Sequence, residues 1–165
     1  MIAQDTVSFL QAHSLRLATA ESCTAGRIIA LLAEVPESGS YIECGYVVYS
    51  PDAKQRLLGV SAQTIATFNL TSVEVAREMV LGTLRDSPAS VAVATTGLCG
   101  TEEIDGIPPG TVCFAWGFSR EGQCAVFTQK HRFFGNRAAL QNKAALHALK
   151  RIPMFYQRWL AGETA

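Results

Sequence analysis

The sequence has no excess of charge of either sign. Its 165 residues include 14 Lys and Arg residues against 14 Asp and Glu residues, so the formal net charge is zero. Such a chain lacks the broad positive field with which proteins attract nucleic acids or anionic membranes nonspecifically. We therefore expect neither nucleic acid nor a membrane as a partner, while a local site for a small anion stays compatible with the composition.

Long apolar runs are missing as well. No stretch approaches the roughly 20 apolar residues that a membrane-spanning helix needs. The first residues, MIAQDTVSFLQAH, lack the basic start and long apolar core of a secretory signal. Hydrophobic residues make up 48% of the chain and charged residues 17%, which is typical of a folded globular protein. We expect a cytoplasmic protein with one domain over residues 1–165, in which residues 153–165 form a tail.

The sequence has neither a CxxC pair nor a set of residues spaced like metal ligands. Its five cysteines are scattered and odd in number, which argues against a disulfide framework and a zinc finger and is compatible with a reducing compartment. Its three histidines lie far apart, and no HExxH motif is present. We therefore expect no metal site.

Segments typical of strands and helices alternate along the chain. Predicted strands cover residues 16–20, 43–50, 90–95, 111–118 and 124–131. Predicted helices cover residues 5–13, 24–33, 51–58, 73–87 and 135–151, and residues 97–110 form a loop. Alternation followed by a hairpin and a last helix predicts an α/β fold, namely a three-layer α/β/α sandwich with a mixed, mainly parallel sheet of about five strands.

Polar side chains follow three of the predicted strands, at residues 21–24, 49–50 and 95–97. In open α/β sheets, ligands bind beyond the carboxyl ends of the strands. We therefore expect these three clusters to meet at one rim of the sheet.

Ser22 is the first candidate for chemistry because it lies between a predicted strand and a helix that begins near Thr24. The first N–H groups of a helix have no internal partners, so they can hold a developing oxyanion or a phosphate beside the hydroxyl. The alternative is that Ser22 only caps the helix. Cys23 is a rival nucleophile, since a helix start lowers a thiol pKa, but a buried structural cysteine is the competing interpretation.

Lys54 lies one turn into the helix that Ser50 and Pro51 open. As a general base it needs a pKa depressed by roughly 3 units, which corresponds to about 4 kcal/mol supplied by burial and neighbouring charge. A solvated surface lysine is the alternative. For Tyr49, the choice is between a catalytic phenol and a half-buried strand aromatic.

Two further positions suggest contacts with an anion. Thr96 and Gly97 follow the strand over residues 90–95, and glycine lets backbone N–H groups approach a ligand closely. Arg137 lies in the first turn of the last helix, where the helix dipole disfavours a cation unless an anion is bound. An ordinary turn and a solvated arginine are the respective alternatives.

Several segments of the chain carry a more specific signal in combination. They read LATAESCTAG at 17–26, ECGYVVYSPDAK at 43–54, EVAREM at 74–79, TG at 96–97, GTV at 110–112 and FGNR at 134–137. In this order, over roughly residues 15–150, they resemble the C-terminal domain of the competence- and damage-inducible protein CinA. The stand-alone members of this family include nicotinamide mononucleotide (NMN) deamidases.

The resemblance implies an amidohydrolase that converts NMN to nicotinic acid mononucleotide and ammonia in pyridine nucleotide (NAD) recycling. It implies Ser–Lys chemistry without metal or organic cofactor, in which Ser22 is the nucleophile, Lys54 the base and Tyr49 a supporting residue. It assigns the nucleotide substrate to a group of binding positions, namely Thr24, Gly26, Thr96, Gly97 and Arg137. It also implies a homo-oligomer, to which we expect the apolar tail to contribute through Met154, Phe155, Tyr156, Trp159 and Leu160.

The chain departs from the family pattern at several positions. Ala25 stands where the signature has glycine, and Asn136 where it has aspartate. Residues 99–101 read Cys-Gly-Thr instead of Ala-Gly-Pro, and the glycine-rich run that follows is missing. These changes keep open an alternative, a noncatalytic nucleotide-binding or regulatory protein linked to competence or the DNA damage response. Zero net charge disfavours a DNA-binding competence factor.

Overall fold

The computed structural model describes residues 1–164, and five segments form one mixed sheet. The strands are β1 (Leu17–Glu21), β2 (Ile42–Val47), β3 (Val91–Gly97), β4 (Thr111–Arg120) and β5 (Gln123–Arg132). Their order is β2-β1-β3-β4-β5, where β1 pairs in parallel with β2 and β3, and β4 pairs antiparallel with both β3 and β5. Four strands therefore run in one direction, and the prediction of a mixed, mainly parallel sheet of five strands is confirmed.

Helices cover both faces of this sheet. They are α1 (Ile2–Ala12), α2 (Arg27–Ala33), α3 (Pro51–Leu58), α4 (Ala62–Phe68), α5 (Val73–Asp86), α6 (Arg137–Lys150) and α7 (Ile152–Leu160). One apolar core lies between the sheet and helices α1, α2, α6 and α7, and a second lies between the sheet and helices α3 and α5. The prediction of a three-layer α/β/α sandwich is confirmed.

The central strands are buried on both faces, which explains their apolar, small-residue sequences. All five residues of β1 and the first six of β3 are buried. Because side chains alternate along a strand, Val93 packs in the core with α2 while Ala94 packs in the core with α5. Strands without polar alternation are therefore a consequence of helices on both sides.

A glycine in α5 sets the position of α3. A Cβ on Gly82 would lie 2.1 Å from the Leu58 carbonyl oxygen at the end of α3. Any other residue would force the two helices apart, so the close approach depends on glycine. This contact holds the helix that carries Lys54.

The start of α2 differs from the prediction. The helix begins at Arg27 rather than Thr24, because Ala25 and Gly26 have φ angles of 51° and 92°. These left-handed conformations are incompatible with a right-handed helix. Residues 23–26 therefore form a turn between β1 and α2.

The C-terminal tail also differs from the prediction. Pro153 lies in the first turn of α7, where its missing N–H is harmless, and does not interrupt an exposed segment. Phe155 and Tyr156 are each 3% exposed because α7 folds back onto the domain. The expectation of an exposed apolar tail is therefore wrong for these residues, and only Met154 and Leu160 remain exposed. A homo-oligomer stays a prediction, but the tail no longer supports it. Ala165 lies outside the described residues.

The loop over residues 97–110 contains a small hairpin of its own. Ile104 and Ile107 form an isolated antiparallel bridge. Asp105 and Gly106 between them have φ angles of 54° and 74°, as a two-residue type I′ turn requires.

None of the helices within residues 1–164 has the length and hydropathy to cross a membrane.

Candidate active site

Ser22 lies directly beyond the carboxyl end of the central strand β1. Its backbone N–H donates to the Thr95 carbonyl oxygen of β3 at 3.0 Å, which ties it to the neighbouring strand. Alternation along the strand places Ser22 on the same face as Ala20, towards α3 and α5. Its side chain is almost buried, with 7% of the residue exposed. The end of a rigid strand thus holds the hydroxyl at the predicted rim.

Lys54 reaches this hydroxyl from α3. Ser50 caps α3 by accepting the Ala53 N–H at 3.0 Å, and Lys54 follows one turn later. The Lys54 Nζ atom lies 2.9 Å from Ser22 Oγ, 2.9 Å from the Val48 carbonyl oxygen and 3.0 Å from the Tyr49 carbonyl oxygen. Residues 48–50 leave strand β2 after Val47, and this departure brings the two carbonyl groups to the amine.

The surroundings of Lys54 raise the fraction of neutral amine near pH 8. Only 1% of the residue is exposed, and burial lowers its pKa from 10.5 to about 8. Within residues 1–164, no carboxylate forms an ion pair with Nζ. A neutral amine has two N–H groups and one lone pair, so the Val48 and Tyr49 carbonyls can accept both N–H groups. The lone pair then faces Ser22 Oγ and can receive the hydroxyl proton.

The turn after Ser22 presents two backbone donors. The Ala25 N–H bonds to the Ser22 carbonyl oxygen at 3.0 Å, and this closes the turn. Across the described part of the chain, the backbone N–H groups of Cys23 and Thr24 donate no hydrogen bond to another residue. Free N–H groups directly after a nucleophile are suited to hold an oxyanion.

The donors predicted for this purpose, those at the start of α2, are occupied. The N–H groups of Ile28 and Ile29 donate to the Glu21 carboxylate at 2.9 and 3.1 Å. The idea that the helix start itself holds an oxyanion is therefore wrong, because an internal anion already occupies it. Sequence reasoning placed Glu21 in the polar cluster but assigned it no role. The available signal was an acidic residue at the end of a strand buried on both faces.

The two threonines predicted to bind substrate have partners within the protein. Thr24, which is 1% exposed, donates its hydroxyl to Glu21 at 2.6 Å. The hydroxyl of Thr96, which is 2% exposed, donates to the Leu70 carbonyl oxygen at 3.0 Å. Neither hydroxyl is hydrogen-bonded to Ser22 or Lys54, and direct contact of either threonine with substrate stays a prediction.

The two predicted glycines shape the backbone of the site. Gly26 occupies the N-cap position of α2 in a left-handed conformation. A Cβ on Gly97 would lie 2.5 Å from the Thr111 carbonyl oxygen, so glycine lets β3 and β4 approach at this end of the sheet. Both positions are explained by local geometry, and ligand contact through their backbone stays a prediction.

Tyr49 and Arg137 line the same surface pocket of about 400 Å³, together with residues 97–102 and Ile104. The side chain of Tyr49 is exposed, and only its carbonyl group contacts Lys54. Arg137 is the first residue of α6 and lies against the loop, since a Cβ on Gly100 would meet its guanidinium at 3.1 Å. Ser22 and Lys54 are not among the residues that line this pocket, and Tyr49, whose carbonyl group accepts from Lys54, connects the pocket to the amine.

Cys23 is poorly placed to act as the nucleophile. A hydrogen bond with the Cys99 thiol, together with burial, raises the pKa of Cys23 well above its ordinary value. Only 3% of the residue is exposed.

Among residues 1–164, no group of three or more potential metal ligands comes together. Of the residues considered, Ser22 and Lys54 are therefore the pair whose geometry suits a nucleophile and its base.

Known proteins are similar to this chain in both sequence and fold. The sequence-family model for the CinA C-terminal domain matches residues 1–155. The chain is 36% identical over 142 residues to nicotinamide-nucleotide amidohydrolase PncC of Enterobacter agglomerans, covering 86% of this chain and 85% of that protein. It is 38% identical over 157 residues to a CinA-like protein of Chlorobium limicola, covering 93% of this chain but 37% of that relative.

The chain thus spans about a third of the length of the CinA-like relatives. The solved structure of competence damage-inducible protein A from Klebsiella pneumoniae superimposes with a TM-score of 0.86 at 32% identity. The match covers 98% of this chain and 97% of that chain. The fold is therefore shared over essentially the whole chain.

Proposed function

The chain belongs to the CinA C-terminal-domain family, and on that premise we propose that it is an amidohydrolase acting on NMN. The reaction is hydrolysis of the nicotinamide carboxamide to nicotinic acid mononucleotide and ammonia, a step of pyridine nucleotide recycling. The observation that carries the proposal is the 2.9 Å contact between Ser22 Oγ and a buried Lys54 amine whose pKa is lowered. Similarity over most of its length to a relative named nicotinamide-nucleotide amidohydrolase supports the choice of substrate.

In the proposed first half-reaction, neutral Lys54 takes the proton of Ser22 while Oγ attacks the carboxamide carbon. The N–H groups of Cys23 and Thr24 stabilise the oxyanion of the tetrahedral intermediate. Protonated Lys54 then gives its proton to the leaving nitrogen, the C–N bond breaks and ammonia departs. Ser22 remains as an ester of the nicotinate group.

The second half-reaction returns the enzyme to its starting state. Water replaces ammonia, and Lys54 accepts one of its protons as the oxygen attacks the ester carbon. The bond to Oγ breaks and the proton passes from Lys54 to Ser22. The product leaves as the carboxylic acid, whose proton then passes to the released ammonia to give the carboxylate and ammonium. One lysine thus acts alternately as base and acid, which requires a pKa near the working pH.

The pocket lined by Tyr49 and Arg137 is the proposed site for the rest of the nucleotide. Arg137 supplies a charge-assisted contact to the phosphate. The exposed Tyr49 ring lines this pocket and offers an aromatic face to the positively charged pyridinium ring. The phosphate end and the carboxamide end of NMN then contact different elements, α6 and β1.

One observation favours a second candidate function. Exposed Ile104 and its small hairpin line the pocket in the region where the sequence departs from the family pattern. A changed loop is compatible with a protein that binds a nucleotide for regulation without cleaving it. Nucleotide binding without turnover would support this alternative.

The test is to incubate the purified protein with NMN and to measure ammonia and nicotinic acid mononucleotide together. We expect equimolar products from the wild type and from Ser8→Ala, which removes an exposed hydroxyl on α1. We expect none from Ser22→Ala. If the wild type leaves NMN intact while calorimetry detects binding, the regulatory alternative is correct, and if NMN neither binds nor reacts, the substrate is wrong.

A further inference from the structure

A buried carboxylate lies directly behind the turn that carries Ser22. Glu21 is 0% exposed, and its two oxygens accept four hydrogen bonds. Two come from backbone N–H groups of α2, and two come from the hydroxyls of Thr24 at 2.6 Å and Thr19 at 3.3 Å. A desolvated carboxylate is costly unless donors surround it, so this group holds its neighbours in fixed positions.

The hydrogen bonds of this cluster have a defined direction. Thr24 donates its single hydroxyl proton to Glu21, so in its 2.8 Å contact with the Thr95 hydroxyl it must accept. Thr95 is therefore the donor, and its own carbonyl oxygen accepts the Ser22 N–H. The chain of bonds runs from β3 through the turn to the carboxylate, and it fixes both sides of the nucleophile.

The turn needs such support because its backbone is strained. Ala25 has a φ of 51°, a left-handed conformation that a residue with a Cβ disfavours. Without fixing contacts, the turn has a lower-energy course as ordinary right-handed backbone. In that course, the N–H groups of Cys23 and Thr24 would point elsewhere.

We propose that Glu21 is a positioning residue for the reaction at Ser22, acting through Thr24 and Thr95. Its carboxylate anchors the turn over residues 22–26 so that the hydroxyl faces Lys54 and the two N–H groups after it stay unbonded. Glu21 itself touches neither Lys54 nor the pocket lined by Arg137. This inference rests on the proposed function, because it takes Ser22 as the nucleophile.

The first test separates positioning from folding by altering Thr24. In Thr24→Val, we expect kcat with NMN to fall about 10- to 100-fold, the size of effect that misplacing a reacting group by about 1 Å produces. KM should change less than about threefold, and the pH midpoint should stay the same because Lys54 keeps its contacts. Thr24→Ser should restore kcat, since it restores the hydroxyl.

Thr83→Val is the matched control. Thr83 is as buried as Thr24 and donates its hydroxyl to the Met79 carbonyl oxygen, but it lies in α5 away from the turn. Both valine variants should lower Tm by similar amounts, while only Thr24→Val lowers kcat. Equal kcat per folded molecule in both variants would give Glu21 and Thr24 a purely structural role and overturn the proposal.

The second test does not depend on the substrate. Phenylmethanesulfonyl fluoride forms a bond between its sulfur and Ser22 Oγ, fluoride leaves, and the serine proton passes to Lys54. Mass spectrometry of the digested protein measures the rate at Ser22. We expect labelling in the wild type, in Thr24→Ser and in Thr83→Val, and labelling at least about 10-fold slower in Thr24→Val, because the hydroxyl is misplaced.

The two tests fail in different ways. Labelling that depends on Thr24 without NMN turnover retains the positioning role and rejects the substrate. If Thr24→Val turns over NMN and is labelled as fast as the wild type, the proposed function is retained and the positioning role is rejected. A wild-type Ser22 that the reagent does not label rejects the positioning role as well, since a prepared nucleophile reacts.

Discussion

The two sides of the candidate active site are built differently. On the nucleophile side, Ser22, Lys54 and Glu21 are almost fully buried, and they are held by hydrogen bonds to β3, to the carbonyl groups of residues 48–49 and to the start of α2. On the pocket side, Tyr49 and Ile104 are more than half exposed and the walls come from a loop. The departures at residues 99–101 also lie on this side. The difference indicates that the chemistry depends on the packed fold, whereas the choice of substrate depends on the loop.

The largest effect on activity is expected when the nucleophile or its base is removed. We expect Ser22→Ala and Lys54→Ala each to lower kcat/KM by about 10³-fold or more, and the double variant to be little worse than either, since the two groups act as one unit. Lys150→Ala, which removes an exposed lysine on α6, should have no effect. Losses that add in the double variant would mean that Lys54 acts independently of Ser22.

The pocket side is tested through Arg137. We expect Arg137→Ala to weaken NMN binding about 10- to 150-fold, because a charge-assisted contact contributes about 1.5–3 kcal/mol. Nicotinamide riboside, which lacks the phosphate, serves as the control and should bind both proteins equally well. An equal loss for both ligands would place Arg137 at the carboxamide or in a structural role, and calorimetry measures both.

The pH dependence of turnover reports on Lys54. Because the base must be neutral and its pKa is about 8, kcat should rise with pH through a midpoint near 8 and level above about pH 9. Between pH 7 and 9, the neutral fraction grows about tenfold. A steady-state profile that is flat from pH 6 to 9 would remove Lys54 from the role of base.

Stability should follow the same group with a defined sign. Because the pKa of Lys54 is about 8 in the folded state and 10.5 in the unfolded state, the unfolded chain binds more protons between these values. The free energy of unfolding therefore rises as pH increases from 8 to 10.5, by roughly 3 kcal/mol at most. Denaturation of the wild type and of Lys54→Met at several pH values isolates this contribution. Identical slopes for both proteins would contradict the lowered pKa.

The smallest expected effect concerns Ala25. Replacing it with glycine relieves a left-handed residue and should stabilise the fold by roughly 0.5–1 kcal/mol, with kcat within about threefold. Ala30→Gly in the exposed part of α2 should destabilise by about the same amount, since its backbone is helical. Thermal unfolding that gives both variants the same sign would show that the turn is not strained.

Much of the fold is predictable because its signals are local. Apolar strands without alternation predicted the central sheet, and Ser50-Pro51 predicted the start of α3. Helix α4 was missed although Ser61 caps it by accepting the Gln63 N–H. No residue of α4 is buried, so its sequence carries no apolar stripe.

The contact between Ser22 and Lys54 was predicted from the sequence and is observed, whereas the surroundings that bury Lys54 were not predicted. A lysine in a helix is usually solvated. Lys54 is buried because the chain turns away from β2 after Val47, which brings the carbonyl groups of Val48 and Tyr49 to its amine. The left-handed conformation of Ala25 is not indicated by the alanine itself, since a residue with a Cβ disfavours it. The importance of Glu21 therefore emerges only when β1, β3 and α2 are seen together.

The most direct test of the account is to observe the ester on Ser22. An excess of enzyme is mixed with NMN, the reaction is quenched in acid within the first turnover, and the digested protein is examined by mass spectrometry. The account predicts that the peptide containing Ser22 gains the mass of the nicotinate mononucleotide acyl group, and that Ser22→Ala gains none. Ammonia release while Ser22 stays unmodified at every quench time, or an acyl group on Cys23, would contradict it.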